Sequence, residues 1–158
     1  MRTIGECMKR QVVVVSPSTT VHQAANTVVT KHVGTLPVVD EQETLVGVVR
    51  LDDLLRVFMP DFVALMDDID FVHDFGALES MQPQDVPEAT RLTVRDLMQP
   101  PVSVEQTCGL LRAFATMLKH DIRDLPVVNR AGALVGIASR VDIAAAFLAT
   151  WTDTESGS

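Results

Sequence analysis

The chain has 158 residues and a mass of 17.2 kDa, which suits one average domain or two small ones with a core that needs no staples. Its 47% hydrophobic and 22% charged residues exclude a disordered chain, and no apolar run approaches the roughly 20 residues that span a bilayer. A net charge of -8, from 13 basic and 21 acidic residues, argues against binding a nucleic-acid backbone. Residues 1–11 lack the apolar stretch of a secretory signal, and Cys7 and Cys108 form no disulfide framework or Cys-x-x-Cys pair. The expectation is a soluble cytoplasmic protein with no membrane insertion.

In chain order, residues 3–8 read as a short helical turn capped by Thr3 with Glu6 three positions on. A strand over 12–15 follows, then a helix whose stripe is Val21, Ala24, Ala25, Val28 and Val29. Two strands at 36–39 and 46–49 flank the polar turn 40–44, and a helix covers 51–58. The segment 60–92 carries seven of the eight net negative charges. Within it Phe62, Leu65, Met66, Ile69 and Val72 predict an amphipathic helix over about 61–75, and Pro83 and Pro87 mark a loop over 80–90. Residues 93–98 repeat the capped turn, with Thr93 and Asp96. A strand at 102–104, a helix striped by Leu110, Leu111, Phe114, Met117 and Leu118, strands at 125–128 and 135–138, and a helix over 140–148 complete the order, with Trp151 just beyond it.

The two flanks are one unit written twice. Leu36-Pro37-Val38-Val39 returns as Leu125-Pro126-Val127-Val128, an offset of 89. At that offset Leu45-Val46-Gly47-Val48 meets Leu134-Val135-Gly136-Ile137, and Asp53-Leu54 meets Asp142-Ile143. Met8 aligns with Met98 when the first flank holds one extra residue before its first strand. The resulting division is a first repeat over 1–59, an acidic helical linker over 60–91, a second repeat over 92–150 and a tail over 151–158.

This β-α-β-β-α unit resembles the cystathionine-β-synthase (CBS) domain through its Leu-Pro-Val-Val, its Val-Gly-hydrophobic strand and the Asp opening its last helix. Two in tandem look like a Bateman module, and the resemblance covers residues 4–58 and 92 to about 148. It implies an α/β (α+β) fold in which the repeats pack about a pseudo-twofold axis, leaving two symmetric clefts for adenosine nucleotides. Each cleft would join the final strand and helix of one repeat to the leading segment and first strand of the other. The family pattern of Ser or Thr, two residues, then Asp stands here as Ser139-Arg140-Val141-Asp142.

The chemistry suits that pattern. A carboxylate accepts from both ribose hydroxyls, and a hydroxyl with free N–H groups at a helix start suits phosphate. Arg140 and Arg123 would add charge-assisted contacts, and Val13 and Val33 would wall the adenine. The same Ser-x-x-Asp is also a helix capping box, and the two roles coexist. The second cleft keeps Asp53 but has Arg50 in place of Ser or Thr, with Val102 and Ile122 opposite. Arg50 either grips a phosphate or fills the pocket itself, so the Asp142 cleft is expected to bind the more strongly.

Asp67, Asp70, His73 and Asp74 share one face of the linker helix, either as cation ligands or, more plainly, as a solvated acidic face; no metal site is assigned. No P-loop, nucleophile motif or zinc spacing is present in the sequence, so no catalytic residue is expected. The resemblance implies a regulatory module, sensing AMP, ADP, ATP or S-adenosylmethionine, that forms a homodimer and acts on a partner protein. The alternative is a structural module whose clefts stay empty.

Overall fold

The structure is a computed structural model and describes residues 2–58 and 91–155. The linker helix expected over 61–75 and its acidic face lie outside the described residues. A 3-10 turn at Ile4–Glu6 opens the chain. Then come α1 (Val21–Lys31), β1 (Thr35–Val39), β2 (Leu45–Arg50) and α2 (Leu51–Phe58). The second half holds α3 (Val94–Leu97), β3 (Val104–Glu105), α4 (Leu110–Lys119), β4 (Asp124–Val128), β5 (Leu134–Ser139) and α5 (Arg140–Glu155).

Each half is built around an antiparallel hairpin, β1 with β2 and β4 with β5, and β3 joins β4 in parallel. The hairpins turn on equivalent side chains. Asp40 Oδ1 accepts from the N–H groups of Gln42 and Thr44, and Asn129 Oδ1 accepts from those of Ala131 and Ala133. The first strand of the first repeat is shorter than expected. Only Val15 pairs, its N–H donating to Pro37 O and its carbonyl accepting from Val39. The turn at Ser16, where the Thr19 hydroxyl accepts from the Ser16 N–H, cuts the ladder off at once. The counterpart β3 falls at Val104–Glu105, displaced from the expected 102–104.

The last helix departs in the other direction. It runs through Trp151 to Glu155 rather than ending at 148, so Trp151 lies within it. No glycine or proline interrupts this stretch, and Phe147 and Trp151, four residues apart, pack with ring centroids 5.9 Å apart and planes tilted by 50°.

The leading segments are exchanged between the repeats. Ile4, fully buried, and Met8 sit in the core of the second half with Leu110, Met117, Leu125 and Ile143. Val94 is fully buried in the core of the first half with Val21, Leu36, Val49 and Leu54. Backbone bonds fix both exchanges. Ile4 N donates to Cys108 O at 2.8 Å, and Val94 N donates to Thr19 O at 2.8 Å. The glycine of each second hairpin strand makes room for the visiting methionine. A Cβ on Gly47 would lie 2.8 Å from Met98 Sδ, and one on Gly136 would lie 2.8 Å from Met8 Cγ.

Equivalent residues of the two halves also meet each other, as an internal twofold requires. The Thr35 hydroxyl donates to Asp124 Oδ2 at 3.0 Å, across a sequence separation of 89. Leu45 N donates to Gly132 O, and Leu134 N donates to Glu43 O. The two repeats therefore form one body, each completing the other's core.

Candidate functional site

The start of α5 is where the sequence reading is tested most directly. Ser139 ends β5 and Asp142 lies in the first turn of the helix. Asp142 N donates to Ser139 Oγ at 3.1 Å, and Ser139 N donates to Asp142 Oδ2 at 2.9 Å. The capping box is thus formed. It engages one carboxylate oxygen; Oδ1 makes no hydrogen bond among the described residues.

Arg140 turns toward its own repeat. Its Nε donates to Ile122 O at 2.8 Å, its guanidinium lies 3.5 Å from Asp121, and its backbone N–H donates to Arg123 O at 3.1 Å. This brings the backbone of Arg123 beside the helix start, with the side chain exposed. Val13 and Val33 are half-buried and packed on the core of the first repeat.

The site contains a residue that motif reading missed. Lys9, from the leading segment of the first repeat, places Nζ 3.9 Å from Asp142 Oδ2. Its backbone is pinned on β5, donating to Ile137 O at 2.8 Å and accepting from Ile137 N at 3.0 Å. The signal that could have found it is the exchange of the leading segments, combined with the lysine one position beyond Met8.

The equivalent place at the start of α2 is built differently. Arg50 N donates to Asp53 Oδ2 at 2.9 Å, as Ser139 N does to Asp142. Arginine has no acceptor with which to return the second capping bond. The backbone position matching Lys9 is Gln99, which exchanges bonds of 2.9 and 3.0 Å with Val48. Val102 is half-buried against the second-repeat core. Ile122, expected on the opposing wall of this cleft, is nearly fully buried. At 4% exposure it belongs to that core, because the left-handed Asp121 (φ 50°) turns the chain inward after α4.

Cys7 lies close enough to Asp142 for the carboxylate charge to matter. Burial first, and then that charge, hold its thiol above the ordinary value. Burial also raises Cys108, with Arg112 pulling the other way.

Two cavities lie elsewhere. One of about 930 Å³ is lined by Ser103, Cys108, Leu111, Arg112, Phe147 and Arg2. Another of about 910 Å³ occupies the corresponding place in the first repeat, lined by Ser16, Thr19, Gln23, Asn26, Asp40 and Arg95. Neither is lined by Ser139, Asp142, Arg50 or Asp53. Among the described residues no helix is long and apolar enough to cross a membrane.

Comparison with known proteins gives a consistent answer. The family profile for the CBS domain matches residues 4–60 and 94–149. The CBS domain-containing protein CBSX2, chloroplastic, of Arabidopsis thaliana is 34% identical over 97% of this chain, which spans 66% of that protein's length. A crystal structure of CBSX2 in complex with AMP superposes with a TM-score of 0.71 at 33% identity, covering 95% of this chain and 98% of that one. The CBS domain of a membrane protein from Sphaerobacter thermophilus, 28% identical, superposes with a TM-score of 0.66 over 90% of this chain and 85% of that one. This chain therefore spans about two thirds of the length of CBSX2.

Proposed function

The chain belongs to the CBS-domain family, as a tandem pair, and from that premise we propose that it is a regulatory module that senses an adenosine nucleotide in the clefts between its repeats. One observation carries this reading. Asp142 is oriented by Ser139 N at a helix start, with Oδ1 free of hydrogen bonds among the described residues and a lysine of the opposite repeat beside it. A carboxylate so held accepts from ribose hydroxyls, and the helix start favours an anion. CBSX2, at 33% identity, forms a complex with AMP. Ser139, Asp142, Arg140, Arg123, Val13 and Val33 form the principal site of this proposal, and Arg50, Asp53 and Val102 the weaker one.

Ligand binding acts on a partner only as far as it favours one packing of the repeats over another. Because each repeat holds the other's leading segment, a ligand bridging them biases that packing. We read the chain as regulatory rather than catalytic, relaying occupancy to a regulated protein partner. We expect it as a homodimer, because Leu111, Leu118 and Leu148 expose apolar surface on α4 and α5 at 75, 55 and 54%. Both thiols are free, which suits a reducing compartment such as the cytoplasm. A structural module with empty clefts is the competing reading, and Arg50 favours it for the Asp53 cleft alone.

The test is a thermal-shift screen of AMP, ADP, ATP, S-adenosylmethionine and NAD, with and without magnesium. A ligand that binds only the folded state raises the melting temperature by mass action. A shift with at least one adenosine compound is expected; none with any of them refutes the sensor.

A further inference from the structure

The two clefts carry the same carboxylate but differ in the side chain that the leading segment of the other repeat brings to it. At the Asp142 cleft the strand-end position is Ser139, and the cation is Lys9, brought in by the leading segment of the other repeat. At the Asp53 cleft the leading segment supplies the uncharged Gln99, and Arg50 stands at the strand end with its backbone N–H donating to Asp53 Oδ2. Lys9 and Gln99 occupy the same backbone register, each exchanging a pair of hydrogen bonds with the second hairpin strand of the opposite repeat. The difference is therefore one of side chain at fixed backbone positions.

We infer that Lys9, carried by the first repeat's leading segment, is the phosphate-selecting residue of the Asp142 cleft. This rests on the nucleotide-sensing reading above. Lys9 lies near Asp142 at 3.9 Å, its side chain 68% exposed, so the pair is screened and readily displaced. A ribose engaging Asp142 competes for the carboxylate and releases the ammonium, whose backbone stays anchored on β5. The released ammonium takes a nucleoside 5′-phosphate, a doubly charged acceptor, in exchange for a carboxylate it held loosely. The Asp142 cleft thus discriminates a nucleoside phosphate from the neutral nucleoside.

Calorimetry of the full chain with AMP and with adenosine, on the wild type, Lys9→Gln and Arg50→Gln, tests this. The probe for the Asp142 cleft is the binding step lost in Asp142→Asn. Lys9→Gln is expected to weaken AMP at that step roughly tenfold while leaving adenosine unchanged or tighter, since the competitor for Asp142 is gone. Arg50→Gln is expected to leave that step unaltered. An AMP-to-adenosine preference unchanged by Lys9→Gln, with binding intact, overturns the inference and leaves the sensor standing. A wild type that binds neither compound overturns the inference, whereas the sensor falls only if ADP, ATP, S-adenosylmethionine and NAD also fail to bind. Lys9 is mostly exposed and its backbone bonds remain, so an unchanged apo melting curve verifies that the variant is folded.

Discussion

Replacing Gly136 with alanine puts a methyl group where the first repeat's leading segment crosses β5. The new Cβ would lie 2.8 Å from Met8 Cγ and 2.9 Å from Lys9 O. Methionine can change rotamer, but the Lys9 carbonyl is held by Ile137 N at 3.0 Å and can retreat only by breaking that bond. Overpacking of this kind costs about 1–3 kcal/mol. The alanine also stiffens the unfolded chain, which returns about 0.4–1 kcal/mol. The net loss is about 1–2 kcal/mol, or a melting temperature lower by roughly 2–4 °C for each kcal/mol in a chain of this size. Gly47→Ala meets only the Met98 side chain, its nearest atom being Sδ at 2.8 Å, so it costs less. Gly34→Ala meets nothing within 4 Å and is neutral or slightly stabilising. Urea unfolding of the three variants should rank them Gly136, Gly47, Gly34 from least to most stable. If Gly136→Ala is as stable as Gly34→Ala, the close docking of the exchanged segment is refuted.

Other expectations rest on the same geometry. Gly132 holds a φ of +87°, so Gly132→Ala should cost about 1 kcal/mol by urea unfolding although its nearest outside atom is 3.9 Å away. Leu125 is fully buried in the second core, and Leu125→Ala should cost about 2–5 kcal/mol by the same assay. Cys7 and Cys108 are raised above the ordinary thiol value, so alkylation by iodoacetamide should be slow at neutral pH and rise only in alkaline solution. Linkage has the matching sign. Folded thiols resist losing their protons, so their contribution to stability is present below the unfolded thiol pKa of about 8.5 and is lost as pH rises through the higher folded values. A melting temperature that climbs from pH 8 to 10 in the wild type but not in a double Cys→Ser variant would contradict this.

The repeat was legible because identical strings stand 89 residues apart, and hydrophobic periodicity then placed most elements to within a residue or two. The pairing of Ser139 with Asp142 was legible for the same local reason, since a capping box spans only three residues. What periodicity does not carry is which body a segment packs against. Ile4 and Val94 are hydrophobic in either case, and it takes the structure to show each buried in the other repeat's core. Lys9 went unread because no motif marks it, although the resemblance already joined the first repeat's leading segment to the final strand and helix of the second. The depth of Ile122 was not legible, because it is set by the left-handed turn at Asp121 and not by apolar character. The last helix ran past its expected end because helix stops are read from glycine and proline, and none occurs between Arg140 and Glu155.

The central claim is that Asp142 holds the ribose of an adenosine nucleotide. The most direct measurement is calorimetry with AMP on the wild type, Asp142→Asn and Asp53→Asn. Asparagine keeps an acceptor for the Ser139 N–H and so preserves much of the cap. The account predicts binding to the wild type, at least a tenfold loss in Asp142→Asn and a smaller loss in Asp53→Asn. Equal AMP affinity in the wild type and Asp142→Asn would contradict it.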